Sequence, residues 1–252
     1  MDPIIQVTDV VQRFGDRTIY RHVSFTVAAG EVFVILGGSG CGKSTLMRQM
    51  IGLLPPSEGQ VLILGRDMYA AQADVLTRIG VMYQSGALFG SMTLLENVML
   101  PLQMHSDLPA QASEEVARVK LGLVGLAEAA AAMPSEISGG MAKRAAIARA
   151  MALDPPLLFL DEPSAGLDPV TSAGLDRLIL DLRAQLGIAF VVVTHELPSI
   201  MAIADRCIML DRTAAGIIAE GDPRALRDQS TNPTVRAFFH REASQAPVAT
   251  AA

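Results

Sequence analysis

The chain has 252 residues, half of them hydrophobic, a formal net charge of −6, no tryptophan and two cysteines. This length can bury a substantial core, while the acidic balance and 4% aromatic content argue against a nucleic-acid-binding surface. Charged residues break every apolar run before it reaches bilayer-spanning length, and Met1-Asp2-Pro3 has neither the basic flank nor the apolar stretch of a signal peptide.

In chain order, alternating patterns over 4–11 and 18–27 predict strands, clearest in Val23-Ser24-Phe25-Thr26-Val27. Ala28-Ala29-Gly30-Glu31 turns the chain into the apolar run 31–36, which feeds Gly37-Gly38-Ser39-Gly40-Cys41-Gly42-Lys43-Ser44-Thr45. These nine residues fit G-x-x-x-x-G-K-[ST], and helix-compatible residues 46–51 follow, supplying the strand–loop–helix context that the pattern requires. Glycines allow positive φ, so successive N–H groups can turn inward on a phosphate. The helix start behind them adds partial positive charge. Lys43 can then reach β- and γ-phosphates and the Ser44 hydroxyl can ligate Mg²⁺. The segment implies a nucleoside-triphosphate site.

Residues 59–64 and 79–83 read as further strands, and 93–152 as a helical block broken at Met133-Pro134-Ser135, a candidate subdomain. After Pro155-Pro156, predicted strands at 157–161, 189–194 and 207–211 alternate with helices at 170–186 and 198–204, implying βα units and a mostly parallel sheet. The apolar runs 61–64, 157–160 and 189–193 suit strands buried on both faces. Cys41, in the glycine loop, and Cys207, in a strand pattern, read as reduced cytosolic thiols rather than a disulfide framework. From His240 the chain turns polar and then alanine-rich, a composition expected to be poorly ordered. No internal repeat is evident.

Two further clusters carry chemistry. Leu157-Leu158-Phe159-Leu160 delivers Asp161 and Glu162 to the carboxyl end of a buried strand, where ligands of parallel sheets gather. Asp161 is placed to hold Mg²⁺, and Glu162 to orient or deprotonate an attacking water. A solvated acidic turn is the plain alternative. In Ile137-Ser138-Gly139-Gly140-Met141, Ser138 and two glycines at a helix start form a second anion site, or Ser138 is an ordinary N-cap.

With these motifs in this order, the sequence resembles the nucleotide-binding subunit of ATP-binding-cassette (ABC) transporters, whose signature usually reads Leu-Ser-Gly-Gly-Gln. The resemblance implies an α/β P-loop NTPase fold of the ABC ATPase type: a mixed, mostly parallel sheet, an N-terminal antiparallel β subdomain and an inserted helical subdomain. It places the nucleotide-binding domain at 4–240, the helical subdomain at about 93–152 and a flexible tail at 241–252. It implies ATP and Mg²⁺ as cofactors, and a head-to-tail homodimer in which Ser138, Gly139 and Gly140 of one copy close over the γ-phosphate held by the other. By the same resemblance Gln84 contacts Mg²⁺ and relays to a membrane partner. Asp168, in Ser164-Ala165-Gly166-Leu167-Asp168, crosses the dimer interface, His195 touches the γ-phosphate, and Phe14 stacks on adenine, with Tyr20 and Phe25 as competing aromatics.

Three stretches, 84–89, 134–144 with methionine in the signature, and 232–239, are similar to the ATPase of Mla-type phospholipid transport systems. That resemblance implies an integral-membrane permease, an MCE-domain lipid-binding protein, a STAS-domain protein, and a position on the cytoplasmic face of the inner membrane. Residues 85–101, apolar and Met-rich, suit either permease docking or plain core. An ABC ATPase for another cargo, such as an amino acid or a sterol, is the alternative within the family. A soluble non-transport cassette protein and a catalytically dead cassette are the others; the latter conflicts with the presence of Glu162 and His195.

Overall fold

The computed structural model describes residues 2–242. Strands β1 (Ile5–Phe14) and β2 (Arg17–Val27) pair antiparallel, and β3 (Val32–Gly37) runs into helix α1 (Lys43–Met50). Strand β4 (Glu58–Ile63) and the short β5 (Arg66–Asp67) then complete an antiparallel sheet of order β2-β1-β4-β5. Helix α2 (Gln72–Leu76) and β6 (Ile79–Met82) lead to α3 (Leu94–His105), α4 (Ala110–Leu123) and α5 (Gly139–Ala150). Next come β7 (Leu157–Asp161), α6 (Pro169–Leu186), β8 (Ala189–Val193), α7 (Leu197–Ile203), β9 (Arg206–Asp211) and β10 (Gly216–Gly221). Helices α8 (Pro223–Gln229) and α9 (Pro233–His240) follow.

The second sheet has the order β10-β9-β3-β8-β7-β6, parallel throughout except where β10 joins β9. Side chains on successive residues of a strand point to opposite faces, and here both faces are apolar. Phe33, Ile35, Leu157, Phe159, Val191 and Val193 meet α1 and the antiparallel sheet. Val32, Val34, Leu36, Leu158, Leu160, Phe190 and Val192 meet the helices α3 to α7. The helical block therefore shares one continuous core with a face of the parallel sheet. At the edge where β3 and β9 begin, Arg206 joins the sheets: it bonds Glu31 at 2.9 Å, Glu220 and the Thr26 carbonyl at 2.5 Å, and lies over the Phe33 ring.

The strand expected at 157–161 has those bounds in the structure. Residues 61–64 differ from expectation: β4 lies in the antiparallel sheet, with Val61 and Ile63 buried and Leu62 half-buried. Its run is short enough that one-sided alternation satisfies it. Sequence patterning missed β10, α2, α8 and α9. The last two carry a signal that was available, since Asp222-Pro223 and Asn232-Pro233 are N-cap–proline pairs whose side chains accept bonds from the first-turn amides. Arg241 and Glu242 close α9, their amides bonding the Phe238 and Ala237 carbonyls; the rest of the expected flexible tail, 243–252, lies outside the described residues. No helix among the described residues is long and apolar enough to cross a membrane.

Candidate nucleotide-binding site

The carboxyl ends of four neighbouring parallel strands carry the expected residues in spatial succession. The glycine loop follows β3, His195 lies just beyond β8, Asp161 ends β7 with Glu162 next, and Gln84 lies two residues past β6. Hydrophobic strands fix these positions, because a side chain at a strand's end can move only as far as the buried strand allows.

In the loop, Gly37 and Gly42 have φ of 145° and 106°. A Cβ on Gly42 would stand 2.8 Å from Ile19 and Tyr20 side-chain atoms, so both the backbone angle and the space require glycine there. Gly42 also serves as the N-cap of α1 without any side-chain cap. The first amides of that helix thus have neither an intrahelical nor a capping partner and face the loop. Lys43 donates from Nζ to the carbonyls of Gly37 at 2.8 Å and Gly38 at 3.1 Å, holding its ammonium across the loop. Cys41 is buried, and burial pushes its thiol above the ordinary range. Its backbone, not its sulfur, is what it offers a phosphate.

A cavity of about 320 Å³ opens from this loop, lined by Gly40, Gly42, Lys43, Ser44, Thr45, Phe14, Arg17 and Ile19. Phe14 is 50% exposed in it, whereas Tyr20 is fully buried with its hydroxyl on Gln49 at 2.6 Å, and Phe25 stacks on Phe33 at 5.2 Å. Of the three competing aromatics, only Phe14 presents a free ring beside the phosphate loop. Arg17, its cross-strand neighbour, and Ile19 were missed by sequence reasoning, although the hairpin turn Gly15-Asp16 implied that pairing.

Glu162 occupies left-handed backbone space with φ of 46°, a conformation that costs a non-glycine residue free energy and marks a constrained position. Its Oε1 meets His195 Nδ1 at 2.8 Å, and its Oε2 is buried without a hydrogen-bond partner. Burial, with the Glu162 charge next, raises the Asp161 carboxyl above its usual range, while Arg48, Lys43 and Lys143 pull it down. A divalent cation would stabilise the ionised form. Ser44, Asp161 and Gln84 offer oxygen donors only, the set that suits a hard dication completed by phosphate oxygens and water.

Ser138 caps α5, its hydroxyl accepting from the Met141 amide at 3.3 Å, so the plain N-cap reading describes this conformation. Gly140 is buried against Thr171, which leaves no room for a Cβ. Asp168 caps α6: its carboxylate accepts from the amides of Val170 and Thr171 at 3.0 Å and from the Thr171 hydroxyl at 2.5 Å. These bonds, the Thr171 hydroxyl first, hold it below the usual carboxylate range. Gly139 and Gly140 sit beside Leu167 and Thr171, and neither they nor Ser138 line the phosphate-loop cavity of their own chain.

A glycine loop after the central strand, an acidic pair on the second strand away and a histidine on the strand between them define a P-loop ATPase of the cassette type. The sequence model of the ABC transporter family matches residues 20–165, and the chain belongs to that family, whose cassettes are ATP-hydrolysing subunits. The chain is 41% identical over 241 residues to the intermembrane phospholipid transport system ATP-binding protein MlaF of Escherichia coli, covering 94% of this chain and 88% of that protein. It is 40% identical over 240 residues to the probable ribonucleotide transport ATP-binding protein mkl of Mycobacterium tuberculosis, covering 94% of this chain and 66% of that one. A solved dimeric ATP-binding cassette in a post-hydrolysis state with ADP and Pi superimposes with a TM-score of 0.77 at 28% identity, covering 86% of this chain and 98% of that one.

Proposed function

We propose that this chain is the ATPase motor of a phospholipid transporter of the Mla type, working as a head-to-tail homodimer beneath an integral-membrane permease at the cytoplasmic face of the inner membrane. The succession of site residues along four adjacent strand ends supports the ATPase part most directly. The MlaF relatives, matched over nearly their full length, support the cargo and, with it, MCE-domain and STAS-domain partners. The nucleotide-binding domain is taken as 4–240, with 93–152 its helical subdomain.

In this reading the backbone amides of 37–45 and Lys43 hold the β- and γ-phosphates, and Phe14 stacks on the adenine. Ser44, Asp161 and Gln84 would hold Mg²⁺, which would neutralise charge on the phosphate oxygens. His195 meets one carboxylate oxygen of Glu162 through Nδ1, and Nε2, 3.8 Å from Glu196 Oε1, is the nitrogen that turns to the γ-phosphate. The Glu162 carboxylate accepts the proton of the attacking water. Water attack breaks the bond between the γ-phosphorus and the bridging oxygen, giving ADP and Pi. The signature of the second copy completes each site, and Asp168 stiffens the interface loop through its cap on α6. ATP binding closes the dimer and hydrolysis reopens it, the two-state change that the permease reads.

Glu162→Gln tests the mechanism: ATP still binds, turnover nearly vanishes, and ATP accumulates in a closed dimer detectable by size exclusion with light scattering. A variant with the native ATPase rate refutes the role of Glu162. Cargo is tested by purifying the complex from native membranes and analysing bound lipid. Recovery of ribonucleotide in place of phospholipid would favour the function named for the mycobacterial relative.

A further inference from the structure

Helix α5 begins at the signature and carries two cations into the catalytic edge of its own chain. Lys143, 8% exposed, donates from Nζ to the carbonyl of Gln84 and, at 3.4 Å, to that of Glu162. Six residues on, Arg149 donates to the carbonyls of Ala87 at 2.7 Å and Gly86 at 2.9 Å. One helix thus holds the main chain of the Gln84 loop at both ends and the main chain of the hydrolytic carboxylate as well. Glu162 needs such support, since its left-handed backbone persists only where its surroundings impose it. Its amide bonds the Val193 carbonyl and its own carbonyl also accepts from Ala165, so Lys143 supplies the side-chain contact from outside this strand edge. Burial lowers the Lys143 ammonium, and Asp161 and Glu162 draw it back up. None of these contacts leaves Lys143 facing the phosphate-loop cavity, whose lining excludes it.

We propose that Lys143 is a positioning residue that joins the signature helix rigidly to Glu162 and Gln84 of the same chain, so that seating Ser138-Gly139-Gly140 on the partner copy's ATP aligns the groups that cleave this copy's own. The proposal rests on the shared-site dimer of the preceding section. It supplies a reciprocal link: each copy's signature reports on one ATP while its Lys143 adjusts the groups at the other. An ammonium suits the task because its three donors can satisfy two carbonyls from different loops at once.

The test uses the full chain with Lys143→Met, which keeps the length and removes the donor, and Lys143→Gln, which keeps a donor without the charge. Steady-state ATPase is measured for each. ATP-driven dimer formation is measured in a Glu162→Gln background, and ADP affinity and melting temperature serve as controls. For Lys143→Met, kcat falls about ten- to a hundredfold, the size expected from losing a charge-assisted hydrogen bond. KM and ADP affinity stay near native, the melting temperature falls by several degrees with the protein still folded at the assay temperature, and ATP-driven dimerisation weakens in parallel. Lys143→Gln restores a large part of both.

A native kcat in Lys143→Met overturns the proposal. So does a loss of kcat with undisturbed dimerisation, which would confine Lys143 to one site, and so does a loss in both variants that follows melting temperature. A Glu162→Gln protein with native Lys143 that stays monomeric in ATP removes the shared-site reading itself, and the link with it.

Discussion

Replacing Phe14 with alanine separates a nucleotide contact from a stability contact, because the ring is 50% exposed and ends its strand beside the phosphate loop. Full burial of a phenylalanine contributes about 1.5–3 kcal/mol, so a half-exposed ring contributes about half of that. In a chain of this size such a loss lowers the melting temperature by about 2–6 °C. Stacking of a base on an aromatic ring is worth about 1–3 kcal/mol, which weakens ATP binding about 5- to 150-fold. Phe25→Ala should behave in the opposite way. Phe25 is 5% exposed and stacks on Phe33 with an interplanar angle of 7°, so its truncation costs about 3–5 kcal/mol of stability. ATP affinity per folded molecule then stays native. Tyr20 is not a clean control, since its ring touches Gly42 of the phosphate loop. Isothermal titration with a non-hydrolysable ATP analogue, paired with thermal melts, reads both quantities. Native affinity in folded Phe14→Ala would refute the stacking assignment, and loss of affinity in Phe25→Ala at temperatures where it is folded would move it to the buried ring.

Other perturbations read other parts of the chain. Lys43→Ala removes the ammonium held across the loop by the Gly37 and Gly38 carbonyls, and ATP binding or hydrolysis is expected to collapse; a nucleotide-binding assay and an ATPase assay both at native values would contradict the phosphate-loop assignment. Asp176 is buried, and burial raises its carboxyl while the Ser199 hydroxyl pulls it down. Its folded form therefore binds a proton more tightly than the unfolded chain does, and its contribution to stability, complete below the unfolded carboxylate range near about pH 4, is lost as pH rises through the raised folded value. Asp176→Asn is expected to gain stability relative to the native protein across that rise, and urea melts showing a constant or opposite difference would refute the sign.

The site's two nucleotide motifs were legible because their chemistry constrains short, local stretches. Gly42 has to be glycine for reasons visible within its own turn, and Asp161 needs only the four apolar residues before it. What escaped the sequence depends on distant main chain or on burial. Lys143 and Arg149 meet carbonyls 59 to 63 residues away, and a backbone carbonyl carries no residue signature. Phe14, Tyr20 and Phe25 differ in exposure, not in type. The 61–64 run has the composition of a doubly buried strand, yet Leu62 is half-buried at a one-sided sheet. Ser138 and Asp168 show the limit of motif reading most plainly: each side chain accepts bonds in capping a helix, while the Ser138 O–H remains free to donate.

The placement of α1 and α5 keeps the two glycine-rich helix starts of one chain apart. α1, behind the phosphate loop, buries Leu46, Met47 and Met50 against one face of the parallel sheet. α5, behind the signature, buries Ala145, Ala146, Ile147 and Ala148 against the other. The two helix starts thus belong to opposite faces of the sheet, and Ser138, Gly139 and Gly140 line no part of the phosphate-loop cavity of their own chain. In the head-to-tail dimer proposed above, a second copy related by a two-fold axis brings its signature to the first copy's loop and makes the reciprocal contact at the same time. On that proposal closure creates two sites or none. In that arrangement a cation such as Lys143, bonded to the catalytic edge from the signature helix, lies on the covalent and hydrogen-bonded route between the two nucleotides.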